Sequence, residues 1–62
     1  MNMESAQEHI RSVAKTEGTE EQFALRDILT DLRHAAEELG LDFEYAVNTS
    51  FDVYEEEREV EA

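Results

Sequence analysis

The sequence predicts an all-α protein of three helices, at about residues 6–16, 20–39 and 43–58. Three observations carry this expectation. Proline is absent and the only glycines are Gly18 and Gly40, so the chain is interrupted only at two places where glycine favours a helix ending. Apolar residues between Leu25 and Tyr54 recur at steps of three and four, not in the strict alternation of a half-buried strand. Ser5, Thr19 and Asp42 stand where the three helices would begin, each a residue type that caps a helix N-terminus.

The first helix is expected to start after Ser5, because Ser5-Ala6-Gln7-Glu8 fits a capping box in which the Ser5 hydroxyl and the Glu8 carboxylate satisfy each other's backbone amides. Its apolar positions Ala6, Ile10, Val13 and Ala14 form a thin stripe, and Gly18 ends it as a left-handed C′ residue. Such a helix depends on docking, since isolated helices below roughly 12–15 residues are marginal in water. Residues 1–4 are expected to fray.

Thr19-Glu20-Glu21-Gln22 repeats the capping pattern, with two acidic residues placed at the positive end of the helix dipole. The apolar residues Leu25, Ile28, Leu29, Leu32, Ala35, Ala36 and Leu39 then form a narrow seam of the kind used in near-antiparallel helix packing. Gly40 terminates this helix, Leu41 supplies the residue of a Schellman ending, and Asp42 caps the third helix at once. So short a corner predicts an antiparallel αα-hairpin. The third helix carries Phe43, Ala46, Val47, Ser50, Val53 and Tyr54 on one face, with Ser50 small enough to let helices approach. After Tyr54 the chain is almost wholly acidic, and carboxylates at the negative end of a helix dipole predict fraying beyond Arg58, with residues 59–62 outside the domain proper.

At 62 residues with no cysteine, the chain reads as one small domain that no disulfide or thiolate zinc site can staple. For so short a chain, ordering entropy and apolar burial nearly cancel. A symmetric homodimer covering the apolar surface left open by one copy is therefore expected. No run of about 18 apolar residues exists, and the first residues lack the basic and apolar regions of a signal peptide, which points to a cytoplasmic protein away from the membrane.

Seventeen acidic residues stand against five basic ones, for a formal net charge of −12. Direct nucleic-acid binding rests on Lys and Arg neutralising phosphates, and Lys15, Arg11, Arg26, Arg33 and Arg58 form no patch along the sequence, so it is not expected. The acidity has three competing explanations: a solvated surface, adaptation to a high-salt cytoplasm, which fits 13 glutamates beside one lysine, and mimicry of a DNA phosphate backbone to occupy a basic groove. Charge alone does not separate them.

Catalysis is not expected. The two glycines are too far apart for a phosphate loop, the serines lack a nucleophile turn, and three short helices seldom enclose a substrate pocket. Asp31, His34 and Glu38 lie three and four apart on one helix face, a spacing compatible with a metal. They point away from the Leu25–Leu39 seam, and only the isolated His9 could add an imidazole, so a solvated face is the plainer reading and no cofactor is expected. Aromatic residues off the main stripes are better indicators of an interface. Phe23, Tyr45 and Phe51 are the candidates, unless the first helix covers Phe23 and Phe51 within one copy.

The run Asp27-Ile28-Leu29-Thr30-Asp31-Leu32-Arg33-His34, followed by Gly40-Leu41-Asp42-Phe43, Ala46 and Tyr54-Glu55-Glu56, resembles a recurrent group of small helical proteins from bacteria, phages and plasmids. The resemblance spans about half the chain, from Asp27 to Glu56, and none of residues 1–20. It implies an accessory or mobile-element context, brings no catalytic activity with it, and singles out Thr30, Asp31, Arg33 and His34. A plainer role for Arg33 and His34 is to form ion pairs with the acidic third helix. Together these readings predict a small acidic interaction or accessory protein, dimeric, with Phe23, Asp31, Arg33, His34, Tyr45 and Phe51 as interaction candidates and a basic protein surface as a possible partner. The alternative is a DNA-mimic inhibitor of a defence nuclease or another DNA-binding protein.

Overall fold

A computed structural model describes residues 2–61. The described residues form three α-helices: α1, Met3–Glu17; α2, Glu21–Leu39; and α3, Phe43–Glu61. The all-α expectation therefore holds, and the connections Gly18–Glu20 and Gly40–Asp42 fall where glycine predicts them.

The helix ends show why. Gly18 and Gly40 both have positive φ, 67° and 70°, the left-handed region that costs other L-residues about 1–2 kcal/mol. At the first ending the Gly18 amide donates to the Lys15 carbonyl and the Thr19 amide to Ala14; at the second, the Gly40 amide donates to Glu37 and the Leu41 amide to Ala36 at 2.8 Å. Both are Schellman endings, which satisfy carbonyls that a helix otherwise leaves open. Asp42 caps α3 as predicted, its Oδ1 accepting from the Tyr45 amide at 2.9 Å.

Three boundaries differ from expectation. Helix α1 starts at Met3, one turn before the Ser5 box, because Asn2 is the cap: its Oδ1 accepts from the Ser5 amide at 2.8 Å. Residues 3 and 4 are therefore helical. Thr19 does not cap α2, because the helix starts at Glu21 and Glu20 is the residue before it. The Glu20 carbonyl instead opens α2, accepting from the Phe23 and Ala24 amides at 3.0 Å. Helix α3 continues through Glu61, past the predicted stop at Arg58, where the Arg58 guanidinium lies 5.5 Å from the Tyr54 ring one turn earlier. A cation in the last turn also suits the helix dipole. Met1 and Ala62, expected to fray, lie outside the described residues.

By internal contacts the chain divides into two units, Met1–Leu32 and Arg33–Ala62, with the division inside α2. In the first unit, Ala14 of α1 and Ala24 of α2 are buried, Ala24 completely. Small residues at these positions let helices come close. Asp27 and Ile28 are half-buried. In the second unit Ala36 is buried and Phe43 and Thr49 are half-buried. Among the described residues no buried side chain is larger than alanine, while twelve large apolar ones are exposed. Ser50, expected between closely packed backbones, is exposed, and its hydroxyl donates to the Val47 carbonyl of its own helix at 2.7 Å.

A Cβ added at Gly40 meets no atom within 4 Å, so substitution there tests the backbone alone. Gly40→Ala is expected to destabilise the protein by about 1 kcal/mol, and Gly40→Asn, which tolerates the left-handed region, by less. Urea unfolding followed by far-UV circular dichroism measures both, and equal midpoints for wild type and Gly40→Ala would contradict the left-handed ending.

Candidate functional site: an apolar groove and a charged corner

The first half of the predicted seam does not wait for the third helix. Leu25, Ile28, Leu29 and Leu32 of α2 line a groove of about 250 Å³ whose other wall is Ala6, His9 and Ile10 of α1. Each residue is there because of helical spacing: positions 6, 9 and 10 share a face of α1, and 25, 28, 29 and 32 share a face of α2. The lining contains no carboxylate, and His9 is its only titratable group. A more open depression that shares His9 is lined by Asn2, Glu4, Ser5, Glu8 and Ser12 of α1 and its cap, so carboxylates stand beside the groove.

On another side of the first unit, α1 and α2 bring carboxylates together. Glu17 shares a hydrogen bond with Asp27, and this, with desolvation and the negative charges of Asp27 and Asp31, holds the Glu17 carboxyl above its ordinary value, partly offset by Arg26. Asp31 thus faces other acids. Among the described residues no group of three His, Asp or Glu side chains is placed to hold a metal, so Asp31, His34 and Glu38 do not assemble into a site.

In the second unit the corner is clamped by Arg33. Its Nη1 donates to Glu44 Oε1 at 2.6 Å, and its guanidinium carbon lies 4.6 Å from the Phe43 ring centroid. Arg33 thus makes the predicted ion pair with α3, and Phe43, which the sequence offered only as a stripe residue, is its stacking partner. His34 is exposed and makes no ion pair among the described residues. The other arginines are also engaged at short range: Arg11 with Glu8 at 2.9 Å, and Arg26 with Asp27 at 3.2 Å and over the Phe23 ring at 5.1 Å.

The aromatic candidates are all exposed. Phe23 carries Arg26 on its face and is 45% exposed. Tyr45 is 66% and Phe51 60% exposed, and Phe51 lies beside Tyr54 with ring centroids 6.4 Å apart. Val47 and Val53 are exposed as well. No helix among the described residues is long and apolar enough to cross a membrane. Comparison with protein families, curated proteins and solved structures finds no match for the chain.

Two measurements check these contacts. The Arg33–Glu44 pair is 55% and 67% exposed, so a double-mutant cycle to alanine is expected to give a coupling below about 1 kcal/mol that shrinks in high salt; Arg33→Lys keeps the charge but loses the planar stack on Phe43. For Glu17, the folded chain holds the proton more tightly than the unfolded chain. The stabilisation is therefore complete below the ordinary glutamate value and lost as pH rises through the raised one. Relative to Glu17→Gln, the wild type is expected to gain stability as pH falls from neutral; identical pH slopes would remove the Glu17–Asp27 contact.

Proposed function

We propose that this chain is a small non-catalytic protein-interaction module whose helical faces are completed by a protein partner, a second copy in the first instance. The observation that carries this reading is the burial pattern: among the described residues only Ala14, Ala24 and Ala36 are buried, while Leu39, at 72% exposure, and eleven other large apolar side chains stay in contact with water. Full burial of one such side chain contributes about 1.5–3 kcal/mol, so a partner that covers several would supply stability which the isolated chain forgoes. Exposed aromatic residues, here Phe23, Tyr45, Phe51 and Tyr54, are the type enriched at interface centres.

A second reading, occupation of a basic nucleic-acid-binding surface on another protein, draws on the exposed carboxylates of α3. Asp52, Glu55, Glu56 and Glu57 are exposed and take no ion pair among the described residues. Glu59 and Glu61, part of the same predicted acidic face, lie outside the described side chains. Salt separates the two readings, because a charge-driven complex dissociates as ionic strength rises and an apolar one does not.

Sedimentation equilibrium and thermal unfolding across a protein-concentration series test the leading reading. Association is expected to raise the apparent mass above 7.2 kDa and to raise the unfolding midpoint with concentration, as mass action requires. A monomer that unfolds cooperatively at a concentration-independent temperature would overturn it.

A further inference from the structure

We infer that α1 is an ion-sensitive latch, docked on the first half of α2 when salt screens the carboxylates at its C-terminal end and released when they are unscreened, whatever partner this unit binds. Little apolar contact holds α1 in place. Its one buried residue is Ala14, and Ala24 is the one buried residue on the first half of α2. Ala6 and Ile10 stand across a groove of about 250 Å³ from Leu25, Ile28, Leu29 and Leu32. The larger apolar side chains of the two helices thus line open space, where a packed core would fill it.

Charge opposes the contact. Among the described residues no ion pair joins α1 to α2: Arg11 pairs with Glu8 within α1, Arg26 pairs with Asp27 within α2, and Lys15 has no carboxylate partner. What crosses between the helices is Glu17, the last residue of α1. It meets Asp27 and the negative charge of Asp31, with Arg26 as the offsetting cation. Glu17 also stands at the negative end of the α1 dipole, a second repulsion of the same sign.

Ionic strength moves this balance in one direction. Repulsion between exposed carboxylates reaches about 10 Å at 0.1 M salt and about 3 Å at 1 M, whereas the apolar contact is not weakened by screening. Release also costs α1 its helix, because 15 residues are marginal as an isolated helix in water. About a quarter of the helical residues are lost with it. The face of α2 that carries Leu25, Ile28, Leu29 and Leu32 then stands open, so salt sets how much apolar surface this unit offers.

The absence of cysteine lets a single thiol report docking. Ala14→Cys places it at the buried position of α1, and Ser12→Cys, at an exposed one, is the control. At about pH 8, the alkylation rate of the first thiol relative to the second is expected to fall at least about threefold between about 20 mM and about 1 M potassium chloride. A ratio that does not change with salt would overturn the inference. Glu17→Gln and Asp27→Asn, each combined with Ala14→Cys, are expected to flatten the response; a response as steep as the parent's in either variant counts equally against the latch. Where Ala14→Cys disturbs the fold, seen as lost circular dichroism at high salt, amide exchange in the cysteine-free chain decides. Exchange over residues 3–17 is expected to slow with salt, and Glu17→Gln to remove that slowing. Equal exchange at both salts, or a slowing that survives Glu17→Gln, means that α1 is no latch.

Discussion

The constraint on which the rest of this structure depends is that the helices are defined at their ends and not by a core. Asn2 and Asp42 cap two N-termini with side-chain oxygens, and Gly18 and Gly40 close two C-termini with paired backbone bonds. Each such device contributes on the order of 1 kcal/mol. Burial adds little to this, because the buried side chains are alanines, which contribute close helix approach but little apolar area. The helices are thus well delimited while their lateral faces remain largely unused. That combination differs from the usual balance, in which most helical stability comes from packing an amphipathic face.

Charge and apolar surface divide the molecule's exterior between them. Ten of the 17 acidic residues fall at or after Glu37, where Arg58 is the one Lys or Arg; Arg33 lies just before that part of the chain. Both sit against aromatic rings, Arg33 on Phe43 and Arg58 on Tyr54, as does Arg26 on Phe23. Arg26 and Arg33 therefore each pair with a carboxylate and lie over an aromatic ring at the same time. What is left over is anionic surface on one hand and uncharged apolar surface on the other, with little of the interspersed positive charge that ordinary soluble surfaces carry.

Much of this was legible in the sequence, and the misses have physical causes. Gly18, Gly40 and Asp42 could be read because each has few alternatives: a left-handed terminator is nearly always glycine, and an acidic residue directly after such an ending is a natural cap. Asn2 was hidden because Ser5 and Glu8 form an equally good local pattern one turn later, and a cap that adds a helical turn outcompetes one that forgoes it. Thr19 looked like a cap because Gln22 stands three residues on, but α2 starts one residue later, at Glu21, with the Glu20 carbonyl opening it. The Leu25–Leu39 periodicity identified an apolar face correctly. Periodicity states which side of a helix is apolar and not which neighbour receives it, so the lining of Leu25–Leu32 against α1 had no signal in the pattern. The stacking of Arg33 on Phe43 was likewise unreadable, since it depends on the corner geometry and not on spacing within either helix.

Acidity and incomplete burial act on each other. A highly charged chain gains solubility from self-repulsion and loses compactness from it, and a chain whose exposed leucines and aromatics were not ringed by carboxylates would associate without specificity. Here the carboxylates restrict where association can occur. In a contact between copies, any register that brings α3's Asp52 or Glu55–Glu57 against the same residues of another copy costs energy at every ionic strength below full screening. Registers that oppose uncharged stretches do not. The negative surface therefore acts as a filter on geometry: it leaves surfaces such as the groove of α1 and α2, whose lining holds no carboxylate, as the places where apolar attraction is not offset by repulsion. The same carboxylates that weaken the isolated fold make its remaining contacts selective.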